Sequence, residues 1–169
     1  MILTSMSECR NVDFDLFQKT LYSPVNAELN GIPYTSGEYT YKYGFYYHDR
    51  NPFRFSEHES GFEFSFDRDI VSDDGSVAIF MNLRSELPFE LNRQYAIGTK
   101  EGSAKIIFWE DRVQYRFMST GGYVVFIERT GTSGSVLSGR FEFTSRNEEK
   151  DSVINVTNGT FENLHCYLE

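Results

Sequence analysis

From residue 61 the chain reads Gly61, Phe62, Glu63, Phe64, Ser65, Phe66, Asp67, and from residue 138 it reads Ser138, Gly139, Arg140, Phe141, Glu142, Phe143, Thr144. In both runs aromatic rings alternate with polar side chains. A period of two sends successive side chains to opposite faces, so each run predicts a strand with one face on a core and one in water. A charged turn follows the second run. Alternation then resumes over 153–161, where Asn158-Gly159 predicts a hairpin turn. The end of the chain is expected to be an antiparallel meander.

Earlier segments carry the same signal. Ala27, Glu28 and Leu29, the turn Asn30-Gly31, and Ile32, Pro33 and Tyr34 predict a small hairpin, with Pro33 confining its second arm to an edge. Tyr39, Tyr41, Tyr43, Phe45 and Tyr47 fall on every second position, as one aromatic face of a single long strand. Residues 49–52 break that strand, and 53–55 resume it. Residues 72–75 read as a loop. The nearly continuous apolar content of 77–83 suits a strand at the centre of a sheet. Residues 87–98 read as a loop and a short strand. A tight Asp111-Arg112 connection joins 105–110 to 113–118. Gly121-Gly122 predicts a turn into 123–127, and 131–134 a further turn. The short run 11–22 leaves a helical turn and an entry strand both open.

About ten strands with short turns predict an all-β fold, an antiparallel two-sheet β-sandwich, with a closed β-barrel as the alternative. Residues 1–24 form a lead-in and 25–169 the sandwich, as one domain. A chain of 169 residues buries roughly 70% of its unfolded surface, so folding requires neither metal nor disulfide. Aromatic residues make up 17% of it, which favours strands. Sixteen basic against twenty-five acidic side chains give a net charge of −9. That field repels polyphosphates and excludes nucleic acid as an expected partner. The two cysteines, Cys9 and Cys166, match no zinc or redox spacing. Either they close the chain into one loop in an oxidising compartment, worth about 4–5 kcal/mol, or they are unrelated buried thiols. No cofactor is expected.

Ala27, Leu29, Asn30, Gly31 and Tyr34 near the start, with Ser138, Gly139, Phe141, Phe143 and Thr144 and the run 156–161 near the end, form a pattern. It resembles a group of uncharacterised all-β domains of Bacteroidetes-type envelope lipoproteins. The resemblance covers both ends of the chain well and the middle weakly. It implies a β-sandwich at the periplasm or cell surface, reached in that family through a signal segment and a lipidated cysteine. Residues 1–10 have no apolar h-region, and Glu8 before Cys9 departs from a lipobox. Membrane association is expected only through a lipid anchor absent from this chain. The resemblance implies no catalytic residues.

Three groups of residues are candidates for chemistry. Trp109 and Arg112 at a hairpin turn, and Tyr46 opposite the tyrosine ladder, offer rings and a cation to a ligand, because sugars stack their C–H faces on flat rings. His48 and His58, flanked by Asp49, Glu57 and Glu59, have the nitrogen and oxygen ligands a transition metal accepts, although alternation sends His58 to the face opposite Glu57 and Glu59. Asp73 and Asp74, with Asp67 and Asp69, offer oxygens to calcium without EF-hand spacing. The structural alternatives are core packing for the ladder and solvated loops for the polar groups. Glu57 with Glu63 would suit glycoside hydrolysis only at a fitting separation. No nucleophile elbow is present, and adjacent His165 and Cys166 point apart on a strand. The chain is therefore expected to be a non-catalytic envelope domain that binds a glycan or an envelope protein. The alternative is an assembly domain pairing through an edge strand, and a hydrolase ranks last.

Overall fold

A computed structural model describes residues 18–21, 25–36, 39–42, 53–72, 75–110, 113–131 and 135–166. They form twelve strands: β1 (Gln18–Leu21), β2 (Val25–Leu29), β3 (Ile32–Thr35), β4 (Tyr39–Lys42), β5 (Phe53–His58), β6 (Gly61–Ser72), β7 (Gly75–Ser85), β8 (Gln94–Ile97), β9 (Gly102–Glu110), β10 (Val113–Thr130), β11 (Ser135–Asn147) and β12 (Ser152–Cys166). Every pairing is antiparallel. The fold is the expected all-β sandwich.

One layer runs β5-β6-β7-β9 and ends on the first third of β10; the other runs β8, the rest of β10, β11, β12, β2 and β3. Strand β10 belongs to both, pairing β9 over 113–118 and β11 from 118 onward. At the opposite side the layers are joined, among the described residues, by one backbone bridge, Thr35 with Val71. The interior between them is filled by rings. Phe62, Phe64 and Phe66 of β6 meet Phe126, Phe141 and Phe161 of the facing layer, with centroids 4.9 Å apart for Phe64 and Phe126 and 5.7 Å for Phe66 and Phe141. Such edge-on and offset pairs add about 0.5–1.5 kcal/mol each to the burial of their area.

The alternation at 61–67 and 138–144 lies in strands whose rings are buried as expected, and β7 is central, between β6 and β9. The β2–β3 turn has Asn30 at φ 51° and Gly31 at φ 83°, the paired positive values of a tight hairpin, and β3 lies at the margin that Pro33 requires. Gln18–Leu21, within the segment left open, is a strand.

Two expected turns are absent. Gly121-Gly122 sits inside continuous β10, at the bulge between Ser119 and Gly121 where the strand passes from one layer to the other. A Cβ on Gly122 would stand 2.3 Å from the Glu142 carbonyl oxygen, so the bare backbone serves a close crossing. Asn158-Gly159 lies inside β12 at another bulge, with Asn158 at φ 51°. There the glycine makes room for the Phe141 ring, whose Cε2 would be 2.5 Å from an added Cβ.

Of the aromatic strand, Tyr39–Lys42 pairs with β1 in a separate two-stranded sheet, and Tyr43, Phe45 and Tyr47 lie outside the described residues.

Candidate functional site

Of the residues singled out by sequence, Tyr46, His48, Asp73, Asp74 and Arg112 lie outside the described residues. Cys9 does so too, while Cys166 ends β12 opposite Ser135. Trp109 is the penultimate residue of β9, its backbone opposite Gln114. His58 ends β5 in the open, with its ring nitrogen 3.4 Å from the Ser56 hydroxyl. No cluster of three metal-ligating side chains occurs among the described residues.

The carboxylates weighed as a hydrolytic pair are not brought together. Glu63 opposes Ser56 and alternates outward between buried Phe62 and Phe64, whereas Glu57 opposes Phe62 on the other face. Each has its own arginine: Glu63 meets Arg84 at 3.2 Å and Glu57 meets Arg129 at 2.7 Å.

What the register does assemble lies on the outer face of β6-β7-β9-β10. One row crosses four strands as Asp67, Phe80, Lys105 and Met118, and continues to Arg146 of β11. The row beside it is Ser65, Asn82 and Ser103. Both rows line a shallow depression of 380 Å³. Met118, 51% exposed, is shared with a second depression of 630 Å³ lined by Gln114, Arg116, Ser119, Thr120, Arg146 and the turn after β11.

Local bonds fix these side chains. Lys105 holds its ammonium 4.2 Å from the centre of the half-buried Phe80 ring, a cation–π contact. Arg116 donates from Nε and Nη2 to Gln114 Oε1 at 2.9 and 2.8 Å, which sets the plane of its guanidinium. Neither cation forms an ion pair with a described carboxylate. Arg146 is different, because it donates to Asp151 across its own turn. Buried Asn147 anchors that turn, donating to the Arg116 carbonyl at 2.9 Å and accepting from Lys150 N at 2.8 Å.

The sequence reading missed Lys105, Arg116 and Met118. The signal for them was present, since a two-residue connection at 111–112 places Glu110 opposite Val113 and hence Lys105 opposite Met118. No protein family, curated protein or solved structure matches the chain.

Proposed function

We propose that the protein is a non-catalytic binding domain whose ligand, an oligosaccharide, lies across the outer face of β6-β7-β9-β10. The observation that carries this reading is the pair of adjoining depressions meeting at exposed Met118, with hydroxyl and amide groups in one row and apolar surface in the next. Ser65, Asn82 and Ser103 supply donors and acceptors in line along the sheet, while Phe80 and Met118 offer apolar surface to C–H faces. A location at the cell envelope belongs to the same proposal and rests on the resemblance of the end motifs.

Assembly through an edge strand has less support. The free side of β5 carries exposed Arg54, Glu57 and His58, charged or polar positions of the kind that discourage edge pairing, and β8 has only four residues.

A thermal-shift screen with neutral and acidic oligosaccharides at about ten times a millimolar Kd tests the reading. A binder adds about 1.4 kcal/mol, or about 3–6 °C at this chain length. The expected result is a shift that Met118→Ala and Asn82→Ala each reduce, both residues being exposed and their loss nearly neutral for folding. A shift that both variants retain, or no shift with any saccharide, overturns it.

A further inference from the structure

Resting on that reading, we infer that the outer-face site takes an oligosaccharide bearing one isolated carboxylate, such as a single uronic acid among neutral sugars. The charges around Met118 decide between this ligand and the alternatives. Lys105 lies directly opposite Met118, and Arg116 is two residues from Met118 on the same face, so the two cations are diagonal neighbours. Diagonal positions across antiparallel strands are about 7–8 Å apart, within reach of one carboxylate for side chains this long once the Lys105 ammonium turns from Phe80 of β7 towards β10.

Both cations are unpaired with described carboxylates in a chain of net charge −9, where an acidic side chain is the commoner neighbour. Gln114 takes Nε and one hydrogen of Nη2 and so sets the Arg116 plane in advance, which lowers the entropic cost of a two-point bond from the remaining Nη1–Nη2 edge to a carboxylate.

The surroundings limit the ligand to one negative charge. Asp67 stands at one end of the Lys105 row, and Glu148 and Glu149 line the far part of the larger depression. A polyanion extending in either direction meets these carboxylates as well as the net negative field. Neutral sugars flanking the charged one meet Ser65, Asn82 and Ser103 instead. That polar row also favours a hydroxyl-rich ligand over an acidic peptide.

The experiment is calorimetric titration of the full chain with four probes: a tetrasaccharide carrying one glucuronate, the same compound with its carboxyl reduced to an alcohol, hexagalacturonate, and a peptide with a single glutamate. The expected result is that the glucuronate compound binds at least about tenfold tighter than its reduced form, the difference a charge-assisted two-point bond provides. Arg116→Gln and Lys105→Gln each remove most of that preference, bringing the affinities for the acid and its reduced form close together, and hexagalacturonate binds more weakly than the single-carboxylate probe. Equal affinities for the acid and its reduced form overturn the carboxylate assignment and leave the oligosaccharide reading standing. A preference that both variants retain, or binding by the peptide alone, overturns the assignment as well. Binding by none of the saccharides overturns both this assignment and the reading beneath it.

Discussion

Glycine faces phenylalanine twice where β11 meets β12: Gly139 lies opposite Phe161, and Phe141 lies opposite Gly159. The same Gly-x-Phe spacing on two antiparallel strands makes the arrangement reciprocal, so each ring covers the glycine across from it. An added Cβ would stand 2.4 Å from Phe161 Cζ at Gly139 and 2.5 Å from Phe141 Cε2 at Gly159. Both rings are fully buried and cannot swing away, because they pack at 6.4 Å on each other and against Phe66. Gly139→Ala is therefore expected to lower stability by about 2–3 kcal/mol through overpacking. Gly31→Ala is the contrast: its Cβ would meet nothing within 4 Å, so only the left-handed backbone at φ 83° costs, about 1–2 kcal/mol. Urea unfolding of the two variants measures the difference, and a Gly139→Ala loss no larger than that of Gly31→Ala would count against the reciprocal packing.

At the scale of elements, the segment between β7 and β8 closes one end of the sandwich. Phe89 enters the core, 5.0 Å from Phe55, 5.3 Å from Phe62 and 5.1 Å from Phe126, and the Arg129 guanidinium lies 5.3 Å above its ring. The Tyr95 hydroxyl holds that segment in place, accepting from Glu90 N at 2.7 Å and facing the carbonyl oxygens of Pro88 and Glu90. Burial, the largest influence, pushes the Tyr95 phenol above its ordinary value, against the opposing pull of the Glu90 bond and Arg93. A raised native pKa means that the folded protein keeps its proton where the unfolded chain has lost it. Stability is then complete below about pH 10 and falls as pH rises through the native value. Tyr95→Phe is expected to cost about 1–3 kcal/mol at neutral pH, leaving Glu90 N without its partner, and to flatten the alkaline decline; pH-dependent urea midpoints read both effects. Elements were legible in the sequence where alternation was long, as in β6 and β11, and the Asn30-Gly31 turn was legible because alternating segments reverse around it. The dipeptide at Asn158-Gly159 is identical, yet there it serves a bulge, because what it accommodates is a ring from β11, 17 positions or more away along the chain. Gly121-Gly122 misled for the same reason, its demand coming from Glu142 and Phe143. The candidate site was half legible: hairpin register places Lys105 beside Met118, but which of the described carboxylates could reach Arg116, and that none does, depends on strands the local pattern does not pair.

For the whole molecule, the decisive links join distant parts of the chain. Strand β2 pairs with β12, Asn26 opposite Thr160, and the turn residue Asn30 exchanges bonds with Asn155, its N donating to the Asn155 carbonyl at 2.9 Å and its Oδ1 accepting from Asn155 N at 2.9 Å. Strand β10 is shared by both layers, and the rings of β6 make their contacts with β10, β11 and β12. Neither layer retains a covered face if the other leaves, so thermal unfolding is expected as one transition, with far-ultraviolet and tyrosine signals changing together and calorimetric and van't Hoff enthalpies equal. Two separated transitions would show that β10 couples the layers weakly. Because the β2–β12 ladder closes nearly the full described length, its pairing earns no stability until the intervening chain has been ordered. Folding should accordingly be slow for the size, in the range of about milliseconds to seconds for such non-local pairing. Weakening the last-formed ladder with Asn26→Ala should then raise the unfolding rate and leave the folding rate nearly unchanged, as expected of contacts made after the transition state. Stopped-flow chevrons separate the cases: a folding rate that falls by as much as the equilibrium constant would place the joining of the two ends in the folding nucleus instead.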